Sequence, residues 1–348
     1  MRKYIGYIIW IAFMGMSCDR SILEYPENGG IDPTKVHVNL TLAVDPTLEP
    51  YSKTGISTQS DDISTHDVRW IVEIFRDAIE GEPVEQRVLS CDPASDGNHT
   101  IDVAFDLHAA KYHIVAWMDY VDDGSIEDKY YTVQSLSSIC IPETEHYIGD
   151  EEHKETYVGN QELDLTAYRN QWGTTINQTI TLERPMAKIE FITTDVDKLL
   201  DKLKTQAGQN GATGLNQRDI ATRVDVSSWQ IKVEYAGYFP SSFNAYTNKP
   251  NDAREGVSFT STMTPLSAQE ARFGSDYIFV NGNESAVYVN LTILDDQGNL
   301  LNQVQGIEVP IVRGKLTSIR DEFLTQDFKP GIGIDPGFDG DIDIVIPD

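Results

Sequence analysis

The run VYVNLTILDDQGNLLNQVQGIEVPIVRGKLTSIRDEFLT, residues 287–325, decides how the chain is read. Val287, Val289, Leu291 and Ile293 alternate with Tyr288, Asn290 and Thr292, the period of a strand with one buried face. Asp295-Asp296-Gln297-Gly298-Asn299 supplies turn chemistry, with Gly298 free to take positive φ. A second run, Gln303 to Val312, answers the first. Arg313-Gly314-Lys315 turns the chain again, and Leu316 to Thr325 predicts a third strand. Beyond a Pro/Gly-rich hinge, KPGIGIDPGFDG, lies the tail DIDIVIPD (341–348), in which Ile342, Ile344 and Ile346 share one face. A detached strand with one apolar face needs a groove, either in its own domain or in another molecule.

Outward from this run the same reading repeats. Lys35 to Val44 alternates cleanly, with Val36, Val38, Leu40 and Leu42 on one face. Asp45 to Asp67 is rich in Ser, Thr, Pro and Gly and reads as a long exposed linker. Val68 to Arg76, Val84 to Ser90, Thr100 to Leu107 and Tyr112 to Tyr120 follow as strands at short spacing, which predicts an antiparallel sandwich. Gln178 to Thr193 is one strand-like stretch interrupted at Arg184-Pro185, and the domain boundary is placed there. Thr194 is the expected cap of an amphipathic helix with Val196, Leu199, Leu200 and Leu203 on one face. Trp229 to Phe239 and Tyr277 to Val280 predict further strands, with a short helical turn between Pro265 and Phe273.

Composition sets the class. The 348 residues accommodate two domains, and 40% hydrophobic content is enough for packed cores. A net charge of −28 repels phosphate backbones and argues against nucleic acid as a partner. Arg2 and Lys3 precede a short apolar core, Tyr4 to Met16, the pattern of a signal peptide over residues 1–17. Gly15-Met16-Ser17-Cys18 has the small residues of a lipobox, although Gly15 stands where leucine is usual. Cys18 is therefore the expected lipidation site, a tether over 18–34 follows, and the outer membrane is the expected anchor. Cys91 and Cys140 remain; they form either a disulfide, which an exported protein permits, or two free thiols.

No catalytic or cofactor motif stands out. The seven histidines show no metal-ligand spacing, and no nucleophile elbow or phosphate loop is present. His108 and His113 read as surface groups. The acidic stretches Asp119–Asp128 and HYIGDEEHKE (146–155) lack the one-three-five acid spacing of an EF-hand and read as solvated loops, with a calcium site in the first as the less favoured alternative; neither metal nor cofactor is expected. Trp70, Trp117 and Trp229 fall within strands and read as core, whereas Trp172 and Tyr246 fall in loops where they could stack on a glycan.

Four phrases, taken in order, resemble the fimbrillin-like proteins, lipoprotein-derived subunits of the type V pili of Bacteroidota. These are VRWIVEIFRD (68–77), YHIVAWMDYVDDGSIEDKYYTVQSLSSI (112–139), LERPMAKIEF (182–191) and the 287–325 run. The resemblance implies an all-β fold with minor α, made of two tandem transthyretin-like sandwich domains at 35–184 and 185–348. The missing catalytic motifs argue against an enzyme, and the resemblance implies assembly with other pilus subunits at the cell surface by donor-strand exchange. Val36, Val38, Leu40 and Leu42 would form the strand displaced on maturation, and Ile342, Ile344 and Ile346 the strand donated to a neighbour. Family stalk subunits are cut after arginine. Here the linker holds only Lys53, and the nearest arginine, Arg69, lies in the next predicted strand. An uncut lipid-anchored subunit, and a glycan-binding surface lipoprotein, are the alternative readings.

Overall fold

The computed structural model describes residues 35–48, 51, 65–95, 97–142, 147–171, 173–209, 226–325 and 342–345. In the first half the strands are β1 (Lys35–Val44), β2 (His66–Arg76), β3 (Glu85–Cys91), β4 (Thr100–His108) and β5 (Lys111–Asp122). They continue as β6 (Thr132–Ser135), β7 (Ser138–Cys140), β8 (Tyr157–Asp164) and β9 (Thr175–Leu182). Then come β10 (Met186–Thr193), helix α1 (Val196–Gln209), β11 (Gln230–Tyr235), β12 (Phe239–Asn244), β13 (Lys249–Arg254) and β14 (Ser258–Thr262). The last are β15 (Thr264–Pro265), β16 (Ala271–Phe279), β17 (Glu284–Leu294), β18 (Leu300–Val312), β19 (Leu316–Asp321) and β20 (Ile342–Val345). The protein is all-β, with one α-helix and three short 3-10 turns among the described residues.

Alternation along the strands builds the first core. A three-stranded sheet, β4-β1-β9, faces a four-stranded one, β3-β2-β5-β8. Val36, Val38, Leu40 and Leu42 of β1 pack with Val68, Trp70, Val72 and Ile74 of β2 and with Ile114, Ala116 and Met118 of β5. The two sheets touch where Val158 pairs with Glu183, and there Gly159 leaves room for its neighbour. A Cβ at Gly159 would lie 2.8 Å from Cγ2 of Ile180.

Strands β2 and β5 are apolar on both faces, so a second layer must cover the other side. Their second set of side chains, Ile71, Phe75, Val115 and Trp117, enters a larger core. That core also takes Ile231 and Val233 of β11, Val289 and Leu291 of β17, and Ile189 and Phe191 of β10. Three sheets bring these strands together: β15-β16-β10-β19-β20, β14-β11-β17-β18 and β13-β12-β7-β6. The last joins residues from before and after the Arg184-Pro185 break, because Ile139 of β7 pairs with Phe243 of β12. Most pairs are antiparallel, but β1·β9, β10·β19 and β19·β20 run parallel.

Four local expectations change. The stretch from Pro265 to Phe273 holds no helical turn: Leu266 and Ser267 both donate their N–H to the carbonyl of Glu270, making a tight turn that opens directly into β16. The third C-terminal strand stops at Asp321 because Asp195 draws the chain away, accepting from the Leu324 N–H at 3.3 Å and the Thr325 hydroxyl at 2.6 Å. That same Asp195, not Thr194, is the residue immediately before α1. The strand expected from Trp229 to Phe239 breaks at Gly237, whose φ of +112° favours glycine.

Candidate functional site

The first strand holds the middle of its sheet. β1 pairs antiparallel with β4 from Lys35↔His108 to Ala43↔Thr100, and in parallel with β9 from His37↔Thr175 to Val44↔Leu182. Val36, Val38, Leu40 and Leu42 are all at most 1% exposed, worth roughly 1.5–3 kcal/mol each in burial. The opposite face is polar and tied to both neighbours. The His37 ring is 2.9 Å from Asp106, Asn39 donates to Asn177 at 2.9 Å, and Thr41 donates to Asp102 at 2.5 Å.

Only the segment after Val44 joins this strand to the rest of the described protein. Asp45 donates its N–H to the Leu182 carbonyl, and Tyr51 is buried at the crossing from β9 to β10. Its hydroxyl donates to the Met186 carbonyl at 3.1 Å, and the Arg184 guanidinium lies 4.1 Å from its ring centroid. Burial holds the Tyr51 hydroxyl well above the usual tyrosine range, although Arg184 pulls the other way. Residues 52–64, including Lys53, lie outside the described residues.

Arg69 lies within β2 and is 3% exposed. Its Nε and Nη2 donate to both oxygens of Asp119 at 2.8 and 2.6 Å, and Nη1 donates to Asp128 and to the Ile126 carbonyl. Burial pushes the Asp119 carboxyl up while Arg69 draws it down, and burial prevails. Part of the acidic stretch 119–128 is thus the lining of an arginine site and not a solvated hairpin tip.

At the other end of the chain, β20 runs parallel to β19 from Thr317↔Ile342 to Arg320↔Val345, forming the edge of the five-stranded sheet. Ile346 and Cys18 lie outside the described residues. Cys91 and Cys140 are free thiols on separate sheets, and Cys140 donates to the Ser242 hydroxyl. Burial raises the Cys91 thiol.

The loop aromatics divide. Tyr246 is occupied internally, edge-on to Phe75 with its hydroxyl donated to Glu73 at 2.5 Å; Trp172 lies outside the described residues. Trp70, Trp117 and Trp229 are buried. His108 is exposed, and the ring of His113 meets the Asp77 carbonyl. One constellation carries no sequence signal at all. Asp276, 1% exposed, accepts from Lys154 Nζ at 2.5 Å, from the Tyr147 hydroxyl at 2.9 Å and from the Tyr235 hydroxyl at 2.7 Å.

The fold defines a class: an all-β chain with two cores, in which the first of the described strands fills the middle of a sheet and the last lines a sheet edge. The chain belongs to a family of unknown function (DUF6562), whose model matches residues 33–347. None of the curated proteins matches it. Solved structures similar to it include the fimbrial anchor protein Mfa2 from Porphyromonas gingivalis, at 10% identity and a TM-score of 0.41, covering 78% of this chain and 82% of that one. A candidate polysaccharide-binding protein from Bacteroides thetaiotaomicron gives 11% identity and a TM-score of 0.39, covering 78% and 80%. A fimbrial assembly protein from Parabacteroides distasonis gives 10% and 0.37, covering 82% and 90%.

Proposed function

We propose that this protein is a structural, non-enzymatic subunit of a cell-surface fimbrium. It is exported as a lipoprotein acylated at Cys18, held at the outer membrane, and assembled with other pilus subunits by donor-strand exchange. The observation that carries the reading is the place of β1. β1 lies between β4 and β9, so its departure would open a slot with backbone partners on both sides. Cutting between Asp45 and Arg69 would leave β1 held by non-covalent contacts alone. Ile342, Ile344 and Ile346 of a neighbouring subunit have the alternate spacing needed to occupy the pockets vacated by Val36, Val38, Leu40 and Leu42. In the chain on its own, the tail strand has one partner, β19, and so has fewer backbone bonds to lose than a strand in mid-sheet.

A second reading, an uncut anchor subunit, is favoured by Arg69. Its guanidinium is buried in paired carboxylates and offers a protease no access, and residues 45–67 hold no other arginine. The glycan-binding alternative is weakened, because Tyr246 spends its hydroxyl and its ring on internal partners.

Polymer formation tests the proposal. Surface fractions run in SDS without boiling are expected to show a ladder of bands above the monomer, lost when residues 341–348 are deleted. A single monomer band from both forms would overturn the polymerising reading.

A further inference from the structure

Three carboxylates converge at one end of the four-stranded sheet. Asp67 is the second residue of β2, Asp92 follows the last residue of β3, and Asp123 follows the last residue of β5. Strand register brings them together, since Val68 pairs with Cys91 and Asp67 pairs with Val121. One oxygen of each lies within 4.8 Å of the other two. Asp92 and Asp123 face solvent, whereas Asp67 is 6% exposed.

The buried member is incompletely satisfied. Its Oδ2 accepts the Gly124 N–H at 3.1 Å, but its Oδ1 is buried and has no hydrogen-bond partner. No Lys or Arg among the described residues forms an ion pair with any of the three; the nearby Arg69 is spent on Asp119 and Asp128. A buried carboxylate with one oxygen lacking a donor, close to two further carboxylates, is costly unless a cation completes it. All three candidate ligand atoms are carboxylate oxygens, the preference of a hard cation. Calcium takes carboxylate oxygens at ~2.3–2.6 Å and fills the rest of its shell with water or carbonyls, so oxygens this close together can share one ion.

We propose that Asp67, Asp92 and Asp123 bind one calcium ion. The ion fastens the head of β2 to the ends of β3 and β5, beside the point where the linker enters the sheet. Its affinity falls in the range of extracellular calcium modules, with Kd on the order of 0.1–1 mM.

The test is thermal unfolding of the full chain in EDTA and in 10 mM CaCl2 at matched ionic strength, with calcium titration calorimetry alongside. The expected result is a Tm higher by about 5 °C in calcium, a smaller rise with MgCl2, and one calcium bound per chain. The D92N/D123N variant changes only exposed residues. It is expected to melt in EDTA no lower than the parent, because two repelling charges are gone, and to lose the calcium shift. No calcium-dependent shift or binding in the parent would overturn the site. So would an undiminished shift in the variant.

Discussion

At the scale of single residues, His66 shows how the entry to β2 responds to protons. Its ring stacks on His153 with centroids 3.7 Å apart. Its Nε2 lies 2.8 Å from Lys129 Nζ and 2.8 Å from the Tyr130 hydroxyl, and its Nδ1 lies 2.8 Å from the Thr65 hydroxyl. An ammonium can only donate, so the network assigns Nε2 as acceptor and places the proton of the neutral ring on Nδ1. Burial, then His153 and Lys129, lower the His66 pKa, against the weaker pull of Glu151 and Asp122. The folded protein therefore takes this proton less readily than the unfolded chain, whose histidine titrates near 6.5. Stability rises with pH across the window between the lowered folded value and 6.5, and it is lost as pH falls through that window. The urea midpoint is expected to drop between pH 7.5 and 5.5, and His66→Gln is expected to shrink that drop. An equal drop in the variant would contradict the assignment.

At the scale of elements, the segment between β7 and β8 is pinned by one lysine. Lys154 is 2% exposed, and its Nζ reaches Asp276, the Tyr147 hydroxyl and the Ile148 carbonyl. Lys154→Met leaves the Asp276 carboxylate buried without its cation and is expected to cost about 3–5 kcal/mol. Adding Asp276→Asn removes the stranded charge, so the double variant is expected to unfold at higher denaturant than the single one. A double variant as unstable as the sum of both changes would contradict the pairing. Little of this was legible beforehand. Lys154 stands in an acidic run that reads as solvated, and its partner lies in a strand far along the chain. Strict alternation made β1 and β17 readable. The polar strands β12 and β13 carry no such period, and β6 and β7 are too short to show one. At Pro265–Phe273 a Ser-centred turn imitated a helical start.

At the scale of the whole molecule, two cores share one sheet, because β2 and β5 bury a face in each. That sharing was half legible: the runs around Trp70 and Trp117 are apolar at successive positions, but sequence does not say what covers the second face. The apolar face of β1 was readable from spacing alone. The carboxylate cluster was not, since three strand ends distant in sequence supply it, and neither was the seat of Tyr51 beneath Arg184. In the proposed subunit β1 is a removable part. The most direct test is mass spectrometry of the N-terminus of protein recovered from its native cell surface. The expected chain begins between Asp45 and Arg69, with β1 gone. A chain that begins at acylated Cys18 and keeps β1 would contradict it.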